Sequence, residues 1–234
     1  MTMRLVIVGN GKMGRAVAEL AEERGHVVHA MIGRAENPDG VALSPTRLQG
    51  VDVAVEFTRP DAVARNLERL IEAGIPTVTG TTGWSDDLPR ITRLVEARGG
   101  ALLHSANFSV GVHLFLRAAR DLAERFAQRP EFDAFIVEEH HAAKVDAPSG
   151  TAAALRGRLR QADAARDYPI TSIRAGSIPG THVVTYDGPH DTVTLSHVAR
   201  SRRGFAAGAV AAAEWLPGRA GVHDFEEMLF GGAG

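Results

Sequence analysis

The sequence has no cysteine among its 234 residues. That absence excludes disulfides, metal sites built on thiolates, and enzymes with a cysteine nucleophile, including dehydrogenases that work through a thiohemiacetal. No apolar run reaches the roughly 18 residues that a membrane span requires, and the N-terminus begins with a strand-like MRLVIVG rather than an apolar leader. We therefore expect a cytoplasmic protein with no membrane partner.

An excess of charge of one sign is also missing. The 26 Lys and Arg nearly balance the 28 Asp and Glu, which leaves a formal net charge of -2. Such a balance offers no basic surface for nucleic acid and no like-charge tail. The hydrophobic fraction of 44% is ordinary for a globular protein, and the length suffices for one large domain or two small ones. A small molecule is the expected partner.

Short apolar runs alternate with amphipathic stretches over the first hundred residues. The predicted strands cover residues 3–9, 26–32, 51–57, 75–79 and 101–104. Between them, apolar residues recur at helical spacing, as in Val63, Leu67, Leu70 and Ile71. This βα alternation predicts an α/β fold with a Rossmann-type, doubly wound parallel sheet and right-handed crossovers.

The regular alternation of strand and helix patterns ends after Asn107. Helical patterns near 115–126, 151–166 and 205–215 surround strand patterns at 132–138, 170–177, 182–186 and 192–198. Short alternating strands separated by glycine and proline indicate a second, α+β domain on a mixed, open sheet. We predict a dinucleotide-binding domain from residues 1–109 plus 203–234, and a substrate-binding and oligomerisation domain from residues 110–202.

The segment VGNGKMG places a G-x-G-x-x-G pattern between the first strand and the first helix. Glycines there permit a tight turn and let a pyrophosphate approach the helix N-terminus. The predicted cofactor-binding residues of this loop are Gly9, Asn10, Gly11, Lys12, Met13 and Gly14.

The end of the second strand lacks the carboxylate that commonly binds the ribose hydroxyls of NADH. Gly33 and Arg34 stand there instead. A guanidinium in place of a carboxylate favours the 2′-phosphate of NADPH, and Lys12 adds a second cation. We predict that NADPH binds at least as well as NADH, with Arg34 as a contact.

Three more loops follow the carboxyl ends of later strands, where a dinucleotide runs across such a sheet. Their small residues with exposed amides let a nicotinamide approach closely. The predicted cofactor-binding residues are Phe57, Thr58, Gly80, Thr81, Thr82, Ser105, Ala106, Asn107 and Phe108.

The segment EEHHAAKVDAPSGTA, residues 138–152, concentrates acid, base and anion-binding groups. His140 and His141 can donate protons near neutral pH, and Lys144 can hold or protonate an anion. The turn at Ser149 leads into an alanine-rich helix, so the amides of Gly150 and Thr151 should form an anion site. We predict a reaction centre for a carboxylate-bearing molecule.

No metal site is predicted. Adjacent histidines point in different directions, and no helical His-x-x-x-His pair or cysteine ligand accompanies them. We expect the isolated histidines to lie at the surface or to have satisfied polar atoms; they include His26, His29, His182 and His223.

Over nearly its whole length the sequence resembles dihydrodipicolinate reductases, also named 4-hydroxy-tetrahydrodipicolinate reductases, of lysine and diaminopimelate biosynthesis. The His-Lys-DAPSGT block is the most specific of the motifs. They are VGNGKMG, EFTRP from residue 56, GTTG from residue 80, SANFSVGV from residue 105, the HHxxKxDAPSGTA block, and SRRGFAAGA from residue 201.

This resemblance implies hydride transfer from NADPH or NADH to a cyclic, unsaturated dicarboxylate, with loss of water. It makes His140 the general acid/base, Lys144 the second proton donor and His141 a substrate contact. It also implies a homotetramer. The remaining substrate-binding residues are Ser149, Gly150 and Thr151 around one carboxylate, and Arg202 as a clamp on the other.

Two other functions stay open. One is an imine reductase similar to L-aspartate dehydrogenase, which would share the nucleotide half; the DAPSGT turn beside the histidine pair argues against it. The other is a non-catalytic dinucleotide sensor, which would need no complete acid and base set, so the presence of His140 with Lys144 argues against that.

Overall fold

The computed structural model describes residues 1–231, so residues 232–234 of the predicted first domain lie outside the described part. The chain divides into two compact units. The first contains Met1–Ser109 and the segment from Arg203 onward, and the second is Val110–Arg202.

Within residues 1–231 the two units contain ten strands and seven α-helices. The strands are β1 Arg4–Val8, β2 Val27–Ile32, β3 Val53–Glu56, β4 Thr77–Thr79, β5 Ala101–His104, β6 Asp133–His140, β7 Ile170–Arg174, β8 Thr181–Asp187, β9 Thr192–Val198 and β10 Gly221–Asp224. The helices are α1 Lys12–Glu23, α2 Pro60–Glu72, α3 Leu88–Arg98, α4 Val110–Phe126, α5 Gly150–Ala162, α6 Arg203–Trp215 and α7 Phe225–Phe230.

The first unit is a six-stranded sheet in the order β10-β5-β4-β3-β1-β2, and every pair in it is parallel. Its central strands are buried on both faces, which is why β1 and β3 read as continuous apolar runs rather than alternating ones. Side chains of α1, α6 and α7 join the core on one face, while those of α2 and α3 cover the other.

The second unit is a mixed sheet in the order β7-β6-β8-β9. Strand β6 runs parallel to β7 and antiparallel to β8, and β9 extends the antiparallel part. Helices α4 and α5 pack on one face and form a core with Ile136 and Val184. Along β6 the buried residues alternate, so Ile136, Glu138 and His140 point to that same face.

The predicted fold class is confirmed, a Rossmann-type parallel sheet with a second, mixed sheet. The predicted helix 151–166 is too long, because α5 ends at Ala162. Beyond it, Arg166 turns back and donates to the carbonyl oxygens of Phe126 at 2.8 Å and Phe132 at 3.1 Å. The sequence pattern also missed β10 and α7. None of the helices formed by residues 1–231 is long and apolar enough to cross a membrane.

Candidate active site

The glycine loop closes tightly between β1 and α1. Gly9 has a φ of 111°, and a Cβ there would lie 2.1 Å from the carbonyl oxygen of Phe57. At Gly14 a Cβ would lie 1.9 Å from the carbonyl oxygen of Gly9. Both positions therefore require glycine. Gly11 differs, because it precedes α1 and a Cβ there would meet nothing within 4 Å, which leaves the helix N-terminus open to a ligand.

A cavity of about 670 Å³ lies beside this loop, and Gly33 and Arg34 line it. The side chain of Asn10 fills the space next to Gly33, since a Cβ there would lie 2.4 Å from its Nδ2. Arg34 is exposed at the rim. Two acids that do not come from the strand end also line the cavity: Asp39, which pairs with Arg65, and Asp61, which pairs with Arg59.

A second cavity of about 430 Å³ also adjoins the loop, and Gly11 lines both cavities. It collects predicted cofactor residues from three strand ends: Gly11, Lys12, Met13, Phe57, Thr58, Gly80, Thr81 and Thr82. Gly80 is tightly confined, because a Cβ there would lie 2.0 Å from the ring of Phe57. Together the two cavities contain most of the cofactor residues predicted from the sequence.

A buried carboxylate joins the loops of the second cavity. Glu56, at the end of β3, accepts hydrogen bonds from the hydroxyls of Thr58, Thr79 at 2.6 Å and Thr81 at 2.7 Å. Burial raises the pKa of Glu56, and these hydrogen bonds oppose the shift. Glu56 thus holds the loops after β3 and β4 together. In the sequence Glu56 is only the first residue of the motif EFTRP, and no role is predicted for it.

The other predicted cofactor residues line neither cavity. Gly14 is buried against the loop, and Phe108 packs edge-on against Phe57 and Phe225 in the core. Ser105 and Asn107 shape their own turn, since the hydroxyl of Ser105 donates to the carbonyl oxygen of Asn107 at 2.7 Å. Ala106 is exposed beside them. Their contact with a cofactor stays a prediction.

These features fit a dinucleotide. The open backbone at Gly11 suits a pyrophosphate, and the two cavities that Gly11 lines give room for the two nucleotide halves. Glycine is required at Gly9 and Gly14 for packing rather than for ligand contact.

In the second unit, β6 carries a histidine held by a carboxylate. Nδ1 of His140 lies 2.5 Å from Oε2 of Glu138, two residues earlier on the same face of the strand. The carboxylate accepts this hydrogen bond, so Nδ1 carries a proton and Nε2 is the nitrogen that can exchange a proton with a ligand. Gly180 leaves room beside that nitrogen, since a Cβ there would lie 3.1 Å from Nε2.

Glu138 is fully buried and bonded on both oxygens. Its Oε1 accepts from Arg174 at 2.6 Å and from the amide of Ser149 at 3.3 Å. Burial alone would raise the pKa of Glu138, but hydrogen bonds from Arg174, Ser172 and His140 outweigh it and lower the pKa to about 2. Burial lowers the pKa of His140, and Glu138 opposes that shift.

Helix α5 begins directly after Ser149, one residue before the predicted start at Thr151. Ser149 is buried, and its Oγ accepts from the amide of Ala152 at 3.2 Å as the helix cap. Gly150 is exposed and Thr151 is half-buried. Ser149 therefore caps the helix N-terminus from a buried position, whereas Gly150 and Thr151 lie at the accessible end of the helix.

One carboxylate already lies at this end of the helix. Nζ of Lys144 is 2.6 Å from Oδ1 of Asp146. The hydrogen bond from Lys144 lowers the pKa of Asp146, and the backbone amide of Gly150 lowers it further. Lys144 and the α5 N-terminus can thus bind a carboxylate together.

The two remaining substrate residues lie outside this hydrogen-bonded cluster. His141 is half-buried directly after β6. Arg202 is exposed in the segment after β9, and no hydrogen bond or ion pair in the described chain joins it to His140 or Lys144. Their substrate contacts stay predictions.

Three residues of the site were missed as site residues. Glu138 was visible in the segment but unassigned, and Arg174 gave no signal because its position depends on strand pairing. The expectation for His182 was wrong: it is buried, and its Nδ1 has no hydrogen-bond partner within residues 1–231. It lies opposite Glu138 across the β6–β8 pair.

The ligand atoms of Glu138, His140 and His182 lie within 4.8 Å of one another, which is a spacing that a metal ion could use. Arg174 and His140 already occupy both oxygens of Glu138, however. The cluster is better described as a hydrogen-bonded acid–base group.

Comparison with protein families matches both halves of the chain. Residues 3–108 match the family model "Dihydrodipicolinate reductase, N-terminus", and residues 111–229 match "Dihydrodipicolinate reductase, C-terminus".

Similar proteins span the full length. A 4-hydroxy-tetrahydrodipicolinate reductase of Christiangramia forsetii is 34% identical, covering 97% of this chain and 98% of the relative. One from Natronomonas pharaonis is 35% identical, covering 97% of this chain and all of the relative. The structure of dipicolinate-bound dihydrodipicolinate reductase from Paenisporosarcina sp. TG-14 has a TM-score of 0.82 at 21% identity, covering 98% of this chain and 100% of that chain.

Proposed function

This chain belongs to the dihydrodipicolinate reductase family, and we propose that His140 and Lys144 carry out its acid–base chemistry. The enzyme is an NAD(P)H-dependent oxidoreductase of lysine and diaminopimelate biosynthesis. It reduces 4-hydroxy-tetrahydrodipicolinate to tetrahydrodipicolinate with loss of water. Overall one hydride and one proton are added to the ring and one water leaves.

His140 supplies or accepts protons at Nε2. Glu138 fixes its Nδ1–H, so the ring has one tautomer and one orientation, and Gly180 keeps Nε2 accessible. Burial lowers the pKa of His140. A bound dicarboxylate raises that pKa, so substrate binding itself favours the protonated acid. The reduced nicotinamide supplies the hydride when bound.

Lys144 and the N-terminus of α5 hold one substrate carboxylate. The observation that carries this assignment is Asp146, whose carboxylate accepts from Nζ of Lys144 at 2.6 Å next to the amide of Gly150. A substrate carboxylate takes the same donors, and Lys144 then stands beside the ring as a proton donor and a cation for developing negative charge. His141 and Arg202 complete the proposed contacts.

The function is tested by following reduced-nicotinamide absorbance with freshly generated 4-hydroxy-tetrahydrodipicolinate. We expect oxidation of the cofactor to depend on that substrate, while the imine of L-aspartate, which an L-aspartate dehydrogenase would reduce, leaves the absorbance unchanged. Absence of turnover with both NADPH and NADH would favour the dinucleotide sensor instead.

For the cofactor we propose that NADPH binds at least as well as NADH. Arg34 lines the larger cavity, and Gly33 offers no carboxylate to repel a 2′-phosphate. Arg34→Gln should weaken NADPH about tenfold and leave NADH within about twofold, because a charged hydrogen bond to phosphate contributes about 1.5–3 kcal/mol when buried and less at a rim. Fluorescence titration of both cofactors measures this. A wild-type preference for NADH would contradict it, and Arg93→Gln on α3 is the control.

We further propose that the first unit binds the dinucleotide and the second unit binds the substrate. We also propose that the enzyme is cytoplasmic and that it assembles into a homotetramer through the second unit. Helices α4 and α5 cover only one face of the second sheet. On the other face Phe135 and Ile173 are each 39% exposed and Val198 is 60% exposed. Light scattering should give about 100 kDa, four times the chain mass of 24.9 kDa. A 25 kDa species at working concentration would reject the tetramer.

A further inference from the structure

His182 lies at the centre of the acid–base group, on the strand next to His140. Its Nε2 is 3.2 Å from Oγ of Ser149, and its ring meets that of His140 edge-to-face with centroids 5.2 Å apart. Its exposure is 4%. One imidazole thus contacts both parts of the proposed mechanism, the acid and the residue that begins the carboxylate-binding helix.

A histidine buried only for packing would have both nitrogens satisfied, or would be replaceable by an apolar residue. Nδ1 of His182 is buried and has no partner among residues 1–231. Leaving a buried polar atom unpaired is unfavourable. This cost points to a role for the imidazole besides packing.

We propose that His182 is a positioning residue for the reaction. It fixes the hydroxyl of Ser149 through its Nε2 and the ring of His140 through its edge-to-face contact. This inference rests on the proposed function, because it assigns a support to the carboxylate-binding helix end and to the acid named there.

The link to Ser149 determines substrate affinity. Oγ of Ser149 caps α5 by accepting from the amide of Ala152, and its own amide donates to Glu138. A fixed Ser149 therefore keeps the first turn of α5, with Gly150 and Thr151, ready for a carboxylate. Without His182 the hydroxyl of Ser149 can rotate away from the amide that it caps. Substrate binding then has to order this hydroxyl again, which weakens the affinity.

The charged and titratable groups around His182 favour a neutral ring. The pKa of His182 is lowered to about 4, with burial as the largest cause. His140 from β6, His197 from β9 and Lys144 from the loop after β6 also lower this pKa, while Glu138 opposes them. A neutral imidazole can hold a serine hydroxyl without adding a cation beside His140. The ring thus positions groups at neutral pH rather than titrating.

Three variants test the proposal. His182→Leu removes the ring nitrogens, His182→Gln keeps an N–H donor near the position of Nε2, and Thr185→Val is the control, a buried hydroxyl on the same strand that contacts Thr194. The readouts are the affinity for dipicolinate by calorimetry, KM and kcat for the substrate, and cofactor affinity.

We expect His182→Leu to raise the dipicolinate Kd and the substrate KM about tenfold, which corresponds to one lost hydrogen bond. kcat should fall less, and cofactor affinity should not change. His182→Gln should recover most of the loss, and Thr185→Val should behave as wild type. Ser149→Ala should match His182→Leu, and the double variant should add little, because both remove the same contact.

Unchanged KM and dipicolinate Kd in His182→Leu would overturn the proposal, as would a His182→Gln variant that is no better than Leu. If His182→Leu does not fold, Ser149→Ala tests the same contact, and a Kd within twofold of wild type refutes it. A wild-type protein that does not turn over the substrate would instead refute the proposed function.

Discussion

Replacing His140 by asparagine is expected to lower kcat by about 10²–10⁴-fold, the usual contribution of a positioned general acid or base. Asparagine is polar and similar in size, but it cannot gain or lose a proton at neutral pH. Lys144→Met is expected to lower kcat by a similar factor and also to raise the substrate KM, because the proposed role of Lys144 is both to donate a proton and to hold a carboxylate. Steady-state kinetics with saturating NADPH measures both changes.

Lys12→Met is the matched comparison for Lys144→Met, because the chain has lysine only at these two positions. It should weaken cofactor binding and leave kcat at saturating cofactor close to wild type. His141→Asn should act mainly on the substrate KM. If both His140→Asn and Lys144→Met retained near-normal turnover, the assignment of the acid and the donor would be wrong.

Replacing Glu138 by glutamine is expected to destabilise the protein by about 3 kcal/mol at pH 7. The pKa of Glu138 falls from 4.5 to about 2 in the folded state, and each pH unit corresponds to about 1.4 kcal/mol. Because the carboxyl has a lower pKa in the folded state, its charge stabilises the folded protein at pH values above the unfolded pKa of 4.5. This contribution is lost as the pH falls from 4.5 to about 2. The variant also leaves Arg174 without its anion.

Chemical denaturation across pH 2 to 7 measures this difference. The difference in the free energy of unfolding between wild type and Glu138→Gln should be largest at pH 7 and should disappear as the pH falls from 4.5 to 2. Glu139→Gln, on the opposite face of β6, is the control and should stay within about 0.5 kcal/mol of wild type. A gap that does not depend on pH would show that packing, not the charge, accounts for the loss.

The same variant should change the pH dependence of catalysis. The hydrogen bond and charge of Glu138 raise the pKa of His140 against the effect of burial, so their removal lowers that pKa further. A general acid with a lower pKa loses its proton at lower pH. The alkaline limb of log(kcat/KM) should therefore move to lower pH, and an unmoved limb would mean that His140 is not the titrating acid.

Much of this molecule could be predicted from sequence because the signals are local. The glycine loop combines a buried strand, a turn and a helix in eleven residues, and Gly9 and Gly14 carry a steric requirement that no other residue meets. His140, Lys144 and Ser149 lie within ten residues of one another, so the sequence alone could propose them as parts of one reaction centre. The end of α5 was less predictable, since Arg166 ends it through carbonyl groups forty and thirty-four residues away.

The sequence by itself determined the α/β class and the place of the nucleotide loop, and it placed the proposed acid and cation in one short segment, since each depends on neighbours within one turn or strand. Only the tertiary structure decided which groups support them. Strand pairing places Arg174 and His182 beside Glu138, thirty-six and forty-four residues away in the chain, and the ends of β3 and β4 meet at Glu56. Such contacts depend on register across a sheet, which local periodicity does not specify.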